Sequence, residues 1–251
     1  MQERKLPKRL MITAGDARVG KSTISRLLLE LYCELNLKCL AYYNGSRNKL
    51  AAYELLVPVG ELTLDRGGAD RLLIDLERCF DIDVVITDLP GQILNRFKEF
   101  TRETLLFDAV KTLGYRITFL HPISHRKDCA DYLQSLIDFC QNQADYLIVK
   151  NHYFRENFPY YDNTQISKQI HAIGGIEVCL GSLWTTTYES AEASGLPYSE
   201  VISNPKVNLI ERSQIFNWME QFKQQLYESG AAALLGLSRD TIVSNFSTGD
   251  F

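Results

Sequence analysis

The chain predicts an α/β fold, a mostly parallel sheet with helices on both faces (a three-layer α/β/α arrangement), and three observations carry that prediction. Short Val-, Ile- and Leu-rich runs alternate with segments whose apolar residues recur at helical spacing, as expected of strands covered by crossover helices. A glycine-containing turn separates the first such run from the first helical segment. Finally, 251 residues at 45% hydrophobic and 23% charged suffice for one large core. No internal repeat or linker divides the chain, so 1–236 reads as a single domain. The Ser/Thr/Asp-rich tail, 237–251, is expected to be disordered.

Taken in order, 10–14 is a short apolar strand and 24–35 an amphipathic helix. The apolar run 37–43 is a second strand, ending at Asn44-Gly45. One or two helical turns fit 48–56, stopped before Pro58, and Leu62 and Leu64 mark a brief extended piece. Leu72, Leu73, Leu76 and Phe80 give 69–80 a helical face. Val84–Asp88 is a buried strand ended by Leu89-Pro90-Gly91. A long helical region, 92–113, precedes a strand at 116–120, a helix at 123–141 and a strand at 146–149. A polar and aromatic loop, 152–163, leads to a short helix at 165–173, a strand at Ile176–Leu180 and a closing helix at 213–227. Asn44, Asp88, His121, Asn151 and Gly181 all fall at predicted strand ends, on the edge where sheets of this kind bind ligands.

The first turn carries the chemistry. Gly15, Gly20, Lys21 and Ser22 match G-x-x-x-x-G-K-[ST] between a strand and a helix, the setting of a phosphate-binding loop. Gly15, Asp16, Ala17, Arg18, Val19, Gly20, Lys21, Ser22 and Thr23 would wrap the phosphates of a nucleoside triphosphate. Glycines let the backbone approach, and the helix start aims its N–H groups and dipole at the anion. Lys21 would reach the β- and γ-phosphates as the catalytic cation, and the Ser22 hydroxyl would ligate Mg²⁺. Asp88, ending a buried strand, is the expected acidic partner, a catalytic and metal-binding carboxylate. Gly91 would approach the γ-phosphate as part of a switch loop.

Bulk properties narrow the setting. A net charge of −4 gives no bulk attraction to nucleic acid. Lys206, Arg212 and Lys223 are too sparse for a patch. Arg4, Lys5, Lys8 and Arg9 form the one dense basic run, read as a solvated arm. Six scattered cysteines without a C-x-x-C pair suggest reduced, cytoplasmic usage, without disulfides or zinc. No apolar run reaches transmembrane length, so no membrane association is expected. His121 and His125 are four apart but interrupted by Pro122, which favours two structural histidines over a metal pair. Trp184 would either stack on adenine or be buried. Trp218 and Phe222 read as packing of the last helix, and the aromatic cluster at 153–161 is either a loop core or a partner surface.

Further motifs resemble a known family. Asp88-Leu89-Pro90-Gly91 is similar to the D-x-P-G switch of ParA/MinD-type ATPases, a branch of the P-loop NTPases. The strand ending Lys150-Asn151 resembles the family's late strand, whose Asn reads adenine. Ala191 to Pro197 is similar to its A-x-x-x-G-x-P segment, with Gly181, Ser182, Leu183 and Trp184 as the loop covering the base. The likeness runs over about 9–225. It implies ATP and Mg²⁺ as cofactors and a nucleotide-dependent homodimer acting with a cargo or adaptor, such as plasmid DNA. Two departures stand out. Asp16 occupies the place of the family's signature lysine, with Ala17 and Arg18 replacing glycines, and Tyr43-Asn44 replaces aspartates that position water. These point to a divergent branch like StbB-type plasmid stability and mobilisation proteins, with hydrolysis weakened more than binding. Arg18 would bridge to a partner's phosphate or lie in solvent balanced by Asp16. Two alternatives remain: a non-hydrolysing nucleotide scaffold, and a small-molecule kinase or ligase like dethiobiotin synthetase, using Arg47, Lys49 and Arg66.

Overall fold

Alternation along the first strand explains why the sheet is covered twice. In β1 (Lys8–Thr13), Leu10 and Ile12 enter one core while Met11 enters the other. In β4 (Val84–Asp88), Val85 joins the first core, and Val84 and Ile86 the second. The computed structural model describes residues 7–45, 48–65, 67–79 and 81–237.

From β1 the chain enters α1 (Lys21–Glu34), then β2 (Cys39–Tyr43), a 3₁₀ turn at Ala51–Tyr53, β3 (Val59–Glu61) and α2 (Asp70–Arg78). After β4 come α3 (Leu94–Thr104), α4 (Leu106–Thr112), β5 (Tyr115–Ile123), α5 (Lys127–Cys140) and β6 (Asp145–Asn151). The remainder is α6 (Gln165–Ala172), β7 (Ile176–Leu180), α7 (Thr185–Ser194), α8 (Tyr198–Ser203), α9 (Leu209–Glu228) and a 3₁₀ turn at Ala231–Leu235. The described strands form one parallel sheet in the order β3-β2-β4-β1-β5-β6-β7. The predicted α/β class is therefore the observed one.

Several boundaries differ for physical reasons. The helical region 92–113 breaks at Leu105, whose left-handed φ of 49° separates α3 from α4. β5 runs through Pro122 to Ile123, so His121 lies inside a strand rather than at its end, and α5 starts only at Lys127. β3 precedes Leu62 and Leu64 instead of containing them. α9 starts earlier than expected because the Asn208 side chain accepts from the Glu211 N–H, an N-cap whose Asn-x-x-Glu spacing was legible in the sequence. α7 and α8 have weak apolar periodicity and escaped prediction.

Arg9 is not in a solvated arm. It is buried, donating to Asp145 (2.5 Å), Thr118 (3.3 Å) and the Ala233 carbonyl (2.7 Å). Arg4 and Lys5 lie outside the described residues, and Lys8 stacks over the Tyr115 ring. Leu237, assigned to the tail, is buried against the second core, and 238–251 lie outside the described residues. Burial alone would raise the Asp145 carboxyl, but hydrogen bonds from Arg116 and Arg9 outweigh it and hold it below the ordinary 3.8. Such a group stabilises the fold above its unfolded value, and its contribution fades as pH falls through the folded one. Arg9→Met should thus cost about 3 kcal/mol at pH 7 in urea unfolding. The deficit should narrow below pH 4.

Candidate nucleotide-binding site

Sheet order decides what surrounds the loop after β1. Its strand is flanked by β4 on one side and β5 on the other, so Asp88 and the β5–α5 connection bracket residues 15–20. Gly15 and Gly20 have φ of 136° and 99°, which L side chains rarely adopt. At Gly20 a Cβ would also sit 2.6 Å from Asn151 Nδ2. α1 begins at once with Lys21, leaving its first N–H groups unpaired toward the loop.

Three side chains hold this loop by its carbonyls. Lys21 Nζ donates to Asp16 O (2.5 Å), Arg126 Nη2 to Ala17 O (2.6 Å), and Asn151 Nδ2 to Val19 O (3.0 Å). Arg126 lies outside the cavity lining, so the planar peptide it holds by Ala17 O directs the Arg18 N–H to the opposite side, as an anion cradle requires. The Asp16 carboxylate is buried, accepts from the Ala17 N–H (2.7 Å) and pairs with Arg126 (2.9 Å). It therefore does not balance Arg18. Arg18 stands exposed at φ 60°. Gly91 presses on the loop from the β4 side, where a Cβ would lie 2.6 Å from Ala17 N and 2.7 Å from its Cα.

Above the loop lies a cavity of about 770 Å³. Asn44, Lys49, Asp88, Leu89, Pro90 and Gly91 line its β2–β4 end. Asn151, Tyr153, Leu180, Gly181 and Trp218 line its β6–β7 end, with Thr23, Tyr188 and Glu192 along the α1–α7 wall. Burial pushes the Lys21 ammonium down to about 8, opposed by Asp88 and Asp16, while the Lys49 charge lowers it further. Burial likewise raises the Asp88 carboxyl, against a hydrogen bond from Ser22 and the charges of Lys49, Lys21 and Arg26. A desolvated carboxylate and a hydroxyl at a helix start, both lining one cavity, are oxygen donors suited to Mg²⁺. Beneath the loop, burial holds His121 neutral, down to about 3.

Of the predicted residues, Ala17, Arg18, Gly20, Lys21, Ser22, Thr23, Asp88, Gly91 and Asn151 line the cavity. Gly15, Asp16 and Val19 shape the loop from behind it. Trp184 does neither: it precedes α7, is 70% exposed, and lies outside the cavity lining. Trp218 reaches the cavity instead, its Nε1 donating to Gly181 O (2.8 Å), because α9 packs against the end of β7. Sequence reasoning missed Arg26, Tyr188 and Glu192. Arg26 was within reach, four residues after Ser22 on the same helix face. Glu192 was not, since only α7 brings it to Arg26. The aromatic cluster divides: Phe158 and Tyr161 are core, Tyr153 and Phe154 line the cavity, and Tyr160 is exposed. Among the described residues no group of three His, Cys, Asp or Glu could hold a metal, and no helix is long and apolar enough to cross a membrane.

No family model and no curated protein matches the chain. Solved structures similar to it include the cell division protein MinD of Aquifex aeolicus, at 13% identity and a TM-score of 0.49, covering 86% of this chain and 97% of that one. Another is Cyanothece McdA in complex with ATP, at 14% identity and TM-score 0.49, covering 94% and 98%. A nucleotide-binding protein of Archaeoglobus fulgidus in complex with ADP is similar at 14% and 0.49, covering 87% and 93%. At these identities the likeness is one of fold.

The contact between Gly91 and the loop gives a direct test. Gly91→Ala should displace Ala17 and lower nucleotide affinity about tenfold, roughly 1.4 kcal/mol, measured by calorimetry with Mg²⁺.

Proposed function

We propose that the chain binds ATP with Mg²⁺ and works as a nucleotide switch of the ParA/MinD type. The observation that carries this reading is the loop at Gly15 and Gly20, held by its carbonyls and opening on a cavity that Lys21, Ser22 and Asp88 line together. The phosphates would lie on the loop amides, with Lys21 released from Asp16 O to meet them, and the metal ion would neutralise phosphate charge between Ser22 and Asp88. The base would occupy the β6–β7 end near Asn151, whose Oδ1 already accepts from Tyr153 N (3.1 Å). ATP would order Asp88 to Gly91 and favour a face-to-face homodimer, engaging a cargo or adaptor such as plasmid DNA.

Slow hydrolysis follows from the same geometry. The cavity-lining carboxylates among the described residues are Asp88, the expected metal ligand, and Glu192, paired with Arg26. Asn44 donates to Leu62 O (2.6 Å) and offers no general base. This favours, as second reading, a scaffold that binds nucleotide without turnover. The kinase reading rests on Arg47 and Arg66, outside the described residues, and on Lys49.

Lys21→Ala should abolish both ATP binding and any ATP-induced dimer, read by calorimetry and by light scattering after size exclusion. A wild-type turnover equal to that of Lys21→Ala would select the scaffold. Arg18→Ala should remove ATP-dependent dimerisation while ATP affinity stays within about twofold, under half a kcal/mol; an unchanged dimer would assign Arg18 to solvent.

A further inference from the structure

The cavity holds more positive charge than the phosphate loop supplies, and one further cation, the exposed Lys49, stands on an anchored segment of backbone. Lys49 lies in the segment following β2, and its backbone carbonyl accepts two hydrogen bonds from Arg26, Nε at 2.8 Å and Nη2 at 2.5 Å. The neighbouring residues are tied as well: Asn48 Oδ1 accepts from Leu50 N (3.0 Å), and Asn48 Nδ2 donates to Glu54 (2.6 Å). Arg26 is itself fixed, since its Nη1 donates to Glu192, whose Oε1 also accepts from Tyr198 (3.1 Å). The mount therefore connects α1, which carries the phosphate loop, to α7 and to the segment holding Lys49.

The charges around this mount do not cancel evenly. Glu192 neutralises Arg26, and Asp16 neutralises Arg126 outside the cavity. Asp88 and Lys21 balance each other. Lys49 and the loop's own Arg18 line the cavity beyond these pairs, and the Lys49 charge acts on both Lys21 and Asp88. Lys49 and Lys21 line the same cavity, and two ammonium groups sharing a cavity favour an anion between them. Position identifies which part of the anion. β2 pairs with β4 so that Tyr43 stands opposite Asp88, and Asn44 N donates to Asp88 O (3.2 Å). The segment carrying Lys49 thus borders the Asp88 end of the cavity, away from the Asn151 end.

We propose that Lys49, positioned by Arg26, is a second binding cation for the terminal phosphate of the nucleotide. This rests on the nucleotide reading above and adds to it a residue that distinguishes triphosphate from diphosphate. A lysine at the Asp88 end contributes to the γ-phosphate and little to a diphosphate held on the loop amides.

Calorimetry with Mg²⁺ on the full chain, using ADP and a non-hydrolysable ATP analogue, tests it. Lys49→Ala should weaken the ATP analogue about tenfold and ADP less than twofold. Lys49→Arg should restore most of the preference, and Arg26→Ala should reproduce the selective loss, with thermal melting confirming that the variants fold. Equal weakening of both nucleotides, or no weakening of either, would overturn the proposal while leaving the nucleotide reading intact. Wild-type protein that bound neither would overturn both.

Discussion

Peptide orientation in residues 15–20 is the constraint on which the site depends. Backbone amides attract an anion only when their N–H groups converge, and an unsupported loop has no reason to keep them so. Here the carbonyls of Asp16, Ala17 and Val19 are held by Lys21, Arg126 and Asn151, which come from α1, the β5–α5 connection and β6. The sheet order makes these three directions available at once, since β1 lies between β4 and β5 with β6 one strand further. Gly91 completes the confinement by pressing on Ala17 from β4.

Asp16 becomes intelligible in this setting. An acidic residue in a phosphate loop would repel the ligand if its charge faced the cavity. It is instead buried, turned onto the Ala17 N–H and neutralised by Arg126, which at the same time holds Ala17 O. The pair converts a charge that opposes binding into a brace for the loop. Removing one partner of such a buried pair would leave the other uncompensated, so Asp16 and Arg126 act together as a unit. The buried, neutral His121 beneath Gly15 fits the same pattern of support without added charge.

The walls above the loop are connected rather than independent. Thr23 hydrogen-bonds to the Tyr188 hydroxyl (2.9 Å), and Arg26 joins Glu192 to the Lys49 carbonyl. Glu30 accepts from the Tyr53 hydroxyl (2.8 Å) and from Ser199 N (3.2 Å). One face of α1 therefore carries Lys21 and Ser22 of the loop at its start and, over the next two turns, the attachments of both flanking segments. Movement of the loop on binding would be transmitted along that helix.

Local chemistry was readable from the sequence by itself. The G-x-x-x-x-G-K-[ST] spacing fixed the turn because only glycine relieves φ near 99° at Gly20, and Val84–Asp88 declared itself as a strand through its Val84-Val85-Ile86 run. The parallel α/β class followed from alternation, since strands covered on both faces leave no other pattern. Tertiary structure alone decided partners. Nothing local links Arg9 to Asp145, Asp16 to Arg126 or Arg26 to Glu192, and nothing local sends Trp218 rather than Trp184 to the cavity. These depend on which strands become neighbours, where α9 settles against β7 and where α7 settles against α9. Such contacts span long stretches of sequence, where periodicity and propensity carry no information.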